Sequence, residues 1–245
     1  MLIESGQNVI LMDPMLGEKG TSAPPFAWVR FSAHRNPLVD LPPDAFRLLD
    51  QTTHCLITHL HPDHLDRAGT DFLREKQIPV TCSVQIAPIL AQKGLHVVQT
   101  LAYGARTSFL GGWITGIPAV HGYGWVAKLM GHVMGFVLEL PDEPTLYGSS
   151  DTIYTPDVHR VLTEIKPDIA VVAAGSAQLD VLQPLLMRMD DVLRFIRHAP
   201  HQVMAHHLEA LNHCPTTRIA LQEAVQRLDL SGKVWIPADG EARMY

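Results

Sequence analysis

Cysteine is scarce in this 245-residue chain: Cys55, Cys82 and Cys214 are widely spaced and odd in number. That argues against a disulfide framework and fits a reducing compartment, and no part in the chemistry is assigned to them. No apolar run is long enough to cross a bilayer, and the N-terminus lacks the basic-then-apolar pattern of an export signal. The expectation is a cytoplasmic protein with no membrane partner. Lysine and arginine number 19 against 25 aspartate and glutamate, a formal charge of −6. Without a basic excess no nucleic-acid partner is expected, and a small-molecule substrate is favoured; self-association is left open. Repeats, low-complexity tracts and shifts of composition are missing as well. With 47% hydrophobic residues the chain can bury one sizeable core, so residues 1–245 are read as a single domain.

Histidine, by contrast, is plentiful, with 14 residues, and its grouping carries the information. After the apolar stretch Cys55–Ile57 comes a HxHxDH run that places His59, His61, Asp63 and His64 within six positions. Imidazole and carboxylate hold zinc and its borderline neighbours, and a site without thiolates can keep a coordination position open for water. That combination points to hydrolysis. A merely solvated loop would not concentrate these ligands free of lysine, glutamate and serine, and a closed structural zinc site usually draws on cysteine. The scattered His34, His54, His96, His159, His198 and His201 read as surface or packing residues.

Apolar patterning and breakers give a strand at Val9–Met12 ending before Pro14, then a long loop from Gly17 to Pro43 of the kind that covers a site. Cys55–Thr58 reads as a buried strand that delivers the histidine run into a loop. A helix over Asp66–Gln77 follows, with Asp66 as its cap, and a strand over Ile78–Cys82. Ser83 is a candidate cap for a helix closing near Gly94 that Pro88 should bend or shorten. Strands are expected at His96–Val98 and Trp113–Ile117, and a hairpin from Phe136–Leu140 and Thr145–Tyr147. Helices over 158–165, 189–197 and 217–228 then alternate with strands over 169–172, 202–205 and 234–236. This is a layered α/β pattern.

On these residues the sequence resembles the metallo-β-lactamase superfamily, whose HxHxDH motif is completed by a distant histidine, an aspartate and a last histidine. His121 in Gly116–Gly122, Asp151 in Tyr147–Thr152 and His207 in Ala205–Cys214 match those positions, in order, over nearly the whole chain. Ser150 stands where the family usually has glycine. Asp13–Leu16, Thr58–Asp66 and Ala205–Cys214 look most like the ascorbate-phosphate lactonase-like branch. Relatives commonly carry a strand before the one that ends at Asp13; here the chain is expected to start almost at that second strand, which also raises the question of whether Met1 is the native start.

The resemblance implies an αβ/βα four-layer sandwich of two mixed β-sheets with outer helices. It also implies two divalent metal ions, zinc first and manganese or iron as alternatives. His59, His61 and His121 would hold one metal; Asp63, His64 and His207 the second; Asp151 would bridge them. Asp63 and Asp151 are thereby the carboxylates most directly tied to catalysis, and a metal-bound hydroxide is the expected nucleophile. His206 and His207 cannot both face inward if the strand from Gln202 continues, because successive side chains alternate; His207 is preferred and His206 is read as packing. Asp13 either orients a ligand histidine or serves as a turn residue. His213 and Asn212 are read either as contacts near the site or as capping residues, Tyr123 and Trp125 as pocket-lining or ordinary loop aromatics, and His132 as a strand residue.

The expected activity is metal-dependent hydrolysis of a small lactone, ester or related substrate. A phosphodiesterase of the same fold is the close alternative, and a non-catalytic metal-binding regulatory protein the contrasting one.

Overall fold

The computed structural model describes residues 1–24, 26–181 and 183–245. Its first sheet has five strands in the order β1 (Leu2–Ser5), β2 (Asn8–Met12), β3 (His54–Ile57), β4 (Val80–Ser83) and β5 (Val97–Leu101). Only β1 and β2 are antiparallel; the rest run parallel. Parallel strands covered on both faces read as near-continuous apolar runs, and β3 shows why. Cys55 and Ile57 pack beneath α2 (Arg67–Glu75) and α3 (Ala87–Gln92), while Leu56 points the other way into the space between the sheets.

The second sheet is ordered β12 (Val234–Trp235), β11 (Gln202–His206), β10 (Ile169–Ala173), β9 (Leu146–Gly148), β8 (Val133–Glu139), β7 (Gly112–Ala119) and β6 (Arg106–Phe109). Strands β9 to β12 are parallel and β6 to β9 antiparallel. Ile10, Met12 and Leu56 of the first sheet meet Ile114, Met134, Phe136 and Leu138 of the second in the central core. On the far side, α4 (Pro156–Arg160), α5 (Met189–His198) and α6 (Arg218–Arg227) cover the second sheet through Val158, Phe195, Ile196, Leu221 and Val225. The result is the αβ/βα sandwich of two mixed sheets. No helix among the described residues is long and apolar enough to cross a membrane.

Three local expectations are corrected. A strand does precede Val9: β1 pairs with β2 around a turn at Gly6, whose positive φ of 55° suits glycine. Ser83 closes β4 rather than capping a helix; α3 begins at Ala87, and Pro88 sits in its first turn, where the missing N–H costs nothing. His132 is exposed just before β8. Strand β6, Arg-Thr-Ser-Phe, has no apolar run to announce it, and only Phe109 of it is buried.

Strand direction puts five chain ends at one edge. β2 and β3 run parallel, β9 and β11 flank β10 in parallel, and β7 shares the direction of β9 because both oppose β8. Met134 N–H donates to the Thr58 carbonyl at 3.1 Å and joins the two sheets at that edge.

The long loop is tied down there by Asp66. Its carboxylate caps α2 at Gly69 N (2.7 Å) and also accepts from Gly17 N (2.8 Å), Leu16 N (3.2 Å) and Ser22 Oγ (2.5 Å). Asp66→Ala strips the cap and orphans loop N–H groups, so it should lower stability by about 2–3 kcal/mol, measured by urea denaturation. A loss well under 1 kcal/mol would mean that the loop is held elsewhere.

Candidate metal centre

The chain leaves β3 at Thr58 and turns tightly, with His64 and Leu65 N–H both donating to the His61 carbonyl at 2.9 Å. Leu60 and Leu65 anchor this turn in the core beneath α2 and α3, which leaves the polar positions of the motif facing the opposite way. His121 arrives just after β7, Asp151 just after β9, and His207 just after β11.

The potential ligand atoms form two groups, within each of which all lie within 4.8 Å of one another: His59, His61 and His121; and Asp63, His64, Asp151 and His207. Asp151 stands between them. Its Oδ2 lies 3.4 Å from His121 Nε2 and 3.7 Å from His207 Nε2, and its Oδ1 lies 3.3 Å from His64 Nε2. Asp63 Oδ2 is 3.5 Å from His207 Nε2.

Four of the five candidate ligand imidazoles are held from outside by their other nitrogen. His121 Nδ1 donates to the Leu185 carbonyl (3.0 Å), His64 Nδ1 to Asp13 Oδ2 (2.8 Å), His59 Nδ1 to Thr58 Oγ1 (2.9 Å) and His207 Nδ1 to Cys214 Sγ (3.4 Å). Thr58 in turn gives its hydroxyl to Asp13 Oδ2 at 2.7 Å and its N–H to Asp13 Oδ1 at 2.8 Å. Outer partners of this kind fix the tautomer that points a lone pair inward. The inward atoms His59 Nε2, His64 Nε2, His207 Nε2 and Asp151 Oδ1 are buried with no hydrogen-bond partner. Four such orphans converging on one space would be costly for a protein with nothing to offer them, and a divalent cation is the group that their chemistry fits.

The electrostatics carry the same demand. Burial opposes ionisation of Asp63 and Asp151, yet the neighbouring His207 and His64 hold both well below the ordinary carboxylate range. Burial likewise opposes a charged His64, but Asp151 and Asp13 overcome it and raise its pKa to about 10; His207 rises well above the ordinary histidine value through Asp151 and Cys214 against the same burial. The carboxylates thus draw positive charge into their midst. His59 goes the other way: burial and the adjacent His64 push it well down, and burial lowers His61 too. A metal would satisfy the carboxylates while leaving every imidazole neutral and able to coordinate.

Strand alternation proves to be the wrong ground for separating His206 from His207. β11 ends at His206, and His207 leaves it with a left-handed φ of 60°. Asp13 (53°) and Ser150 (58°) share that conformation at the exits of β2 and β9, which gives glycine an evident advantage at the position before Asp151. Each such residue costs on the order of 1–3 kcal/mol, a strain typical of functional sites. Cys214, assigned no part from the sequence, supports His207; no local pattern announces it, nor the Leu185 carbonyl. Of the open readings, Tyr123 donates its hydroxyl to Asp191, and Trp125 is exposed. Asn212 latches the long loop, and Thr217 rather than His213 caps α6.

Two outcomes follow for metal binding. Asp13→Ala releases His64 and, through Thr58, His59, and should weaken metal affinity about 10- to 100-fold in a competition titration against a chelator. His207→Ala should lose one metal equivalent by elemental analysis while His206→Ala keeps the wild-type content; the reverse ranking would reject the geometry described.

Residues 8–221 match the β-lactamase superfamily domain. Over 247 aligned residues the chain is 30% identical to the UPF0173 protein YddR of Bacillus subtilis (strain 168), covering 100% of this chain and 96% of that protein. Among solved structures, one described as a possible metal-dependent hydrolase from Veillonella parvula DSM 2008 superposes with a TM-score of 0.87 at 26% identity, covering 98% of this chain and 94% of that one. An isothiocyanate hydrolase from Delia radicum gut bacteria gives 0.87 at 28% identity, over 100% and 95%. Together with the His/Asp groups at the sheet edge, these matches show that the chain belongs to the β-lactamase superfamily and is a metal-dependent hydrolase of the metallo-β-lactamase fold.

Proposed function

We propose that this hydrolase works with two divalent metals, His59, His61 and His121 holding one, Asp63, His64 and His207 the other, and Asp151 lying between them. Its substrate on this reading is a small molecule with an electrophilic carbon, a lactone or carboxylic ester. The observation that carries the proposal is the set of buried, unpartnered Nε2 and Oδ atoms converging from both sides of Asp151. Bound metal would supply Lewis acidity, bringing a water toward neutral pKa and polarising the carbon–heteroatom bond. Histidine-rich ligation favours zinc, with manganese or iron as alternatives.

The chain's own residues supply orientation. Asp13 fixes the His64 ring directly and His59 through Thr58, and Leu185 does the same for His121 by its carbonyl. Two nearby candidates for a protein nucleophile, Cys214 and Ser149, are otherwise engaged. Burial raises the Cys214 thiol pKa, and that sulfur faces His207; the Ser149 hydroxyl donates to the Ser150 carbonyl. The formal charge of −6 offers no basic excess to hold a phosphodiester, which favours an uncharged carbon electrophile.

A second carbon electrophile, an isothiocyanate, is favoured by the isothiocyanate hydrolase that matches the full chain at 28% identity. Water adds to the central carbon of that group much as it adds to a carbonyl, so the same arrangement serves both.

The deciding measurement is a screen of metal-replete wild type against lactones, esters, isothiocyanates and phosphodiesters, paired with Asp151→Ala and elemental analysis. Wild type should bind two equivalents of divalent metal and turn over at least one carbon electrophile. Asp151→Ala should remain folded and lose at least about 100-fold in rate, because it no longer holds the two groups in register. Undiminished activity in that variant, or turnover of phosphodiesters alone, would overturn the assignment.

A further inference from the structure

Beside the metal-ligating groups lies a histidine that none of the roles above uses. His213 is 4% exposed, and its Nδ1 is buried with no hydrogen-bond partner among the described residues. Its ring stands edge-on to His207, with centroids 6.5 Å apart, and edge-on to Phe26 of the long loop at 4.8 Å. A buried imidazole nitrogen without a partner costs free energy, and ordinary structural duties do not account for it. The backbone carbonyl of His213 accepts from Gln178 N–H, but this fixes the main chain rather than the ring. The His207 ring already has its outer partner in Cys214.

The ring of His213 has Phe26 at one edge and the metal-ligating His207 at another, and Phe26 belongs to an apolar cluster. Met15, Phe26, Met130 and Leu179 stay half-buried where they pack against the cluster of Val126, Leu185 and their neighbours. The adjacent Asn212 holds the loop against this wall: its Oδ1 accepts from Phe26 N–H (2.9 Å) and its Nδ2 donates to the Ala27 carbonyl (2.7 Å). Phe26 is therefore kept against His213 by hydrogen bonds between the loop and the preceding residue, Asn212. A neutral imidazole offers one donor and one acceptor, and here it stands between Phe26 of the apolar cluster and the metal-ligating His207.

We propose that His213 binds the substrate, its ring hydrogen-bonding a heteroatom beside the electrophilic carbon while Phe26, Met15, Met130 and Leu179 receive an apolar substituent on that carbon. This rests on the hydrolase reading above and narrows it to substrates with an apolar tail of several carbons. A substrate lacking the tail forfeits its burial, about fourfold in kcat/KM per methylene. A protein lacking the imidazole forfeits a buried hydrogen bond, about 10- to 100-fold and equally for every tail length.

The test uses the zinc-loaded full chain and p-nitrophenyl esters from acetate to octanoate, with His213→Ala, His213→Gln and Phe26→Ala. Expected are a kcat/KM that climbs with tail length in wild type, a uniform loss in His213→Ala that His213→Gln partly restores, and a flattened tail-length dependence in Phe26→Ala, all with wild-type metal content. Independently of turnover, the ring ¹⁵N resonances of His213 in wild type should shift when hexanoate, a product-type ligand, is added. Loss of a metal equivalent in His213→Ala would make His213 a ligand and overturn the proposal, as would unchanged ester kinetics in that variant or hexanoate leaving the His213 resonances unmoved. If wild type cleaves no ester yet the resonances shift, the ester reading fails and the role of His213 stands.

Discussion

The carboxylate of Asp13 is the contact on which the arrangement at the sheet edge depends. It follows β2, accepts from the N–H and hydroxyl of Thr58 at the end of the neighbouring β3, and accepts a hydrogen bond from His64 Nδ1. Through Thr58 it also reaches His59. One acidic side chain thereby orients an imidazole in each of the two ligand groups, and it can do so only because β2 and β3 lie side by side in parallel with Met12 opposite Leu56. A slip in that register would turn the ring of His64 away from its partner and reverse the faces of Leu56 and Ile57. Sheet pairing and site geometry are the same constraint.

The loops above this edge are held by a few long-range polar ties. Asp66 gathers Leu16, Gly17 and Ser22 onto the start of α2; Asn212 and Asn36 bond one another across most of the chain; and Asp180 accepts from the N–H groups of Trp28, Val29 and Arg30. These bonds replace the ladder that a strand would have offered, so an irregular segment can lie against the core with its backbone satisfied. The same edge concentrates unfavourable features: left-handed residues at three strand exits, unpartnered buried nitrogens, and carboxylates packed together away from water. Residues with no function would be selected against such a combination; a hydrolase that must hold metal accepts it, and the two apolar cores on either side of the sandwich offset the cost.

Much of this was legible from local pattern. The buried strands, the helix opening at Asp66 and the hairpin before Asp151 follow from apolar periodicity and breakers, because those signals act over a few residues. The run from His59 to His64 declares its chemistry for the same reason, its members being brought together by a single turn. Strand β6 leaves no local signal, because an edge strand with one buried residue has no periodicity to show. Strand β1 leaves only a weak local signal, because Leu2 and Ile3 are the sole apolar residues of its four.

Composition and spacing determined, without coordinates, that the chain would form a layered α/β fold and present imidazoles and carboxylates at the end of a buried strand. Only the tertiary structure decided how the remainder meet. It turns the backbone at His207 so that this ring, just beyond β11, joins Asp63 and Asp151, and it brings the Leu185 carbonyl to His121, Cys214 to His207, and Phe26 to His213. Those contacts join residues far apart in sequence or depend on a single φ angle at a strand exit. Neither leaves a trace in local hydrophobicity, because the free energy that selects them comes from packing two sheets together rather than from the residues' own neighbours in the chain.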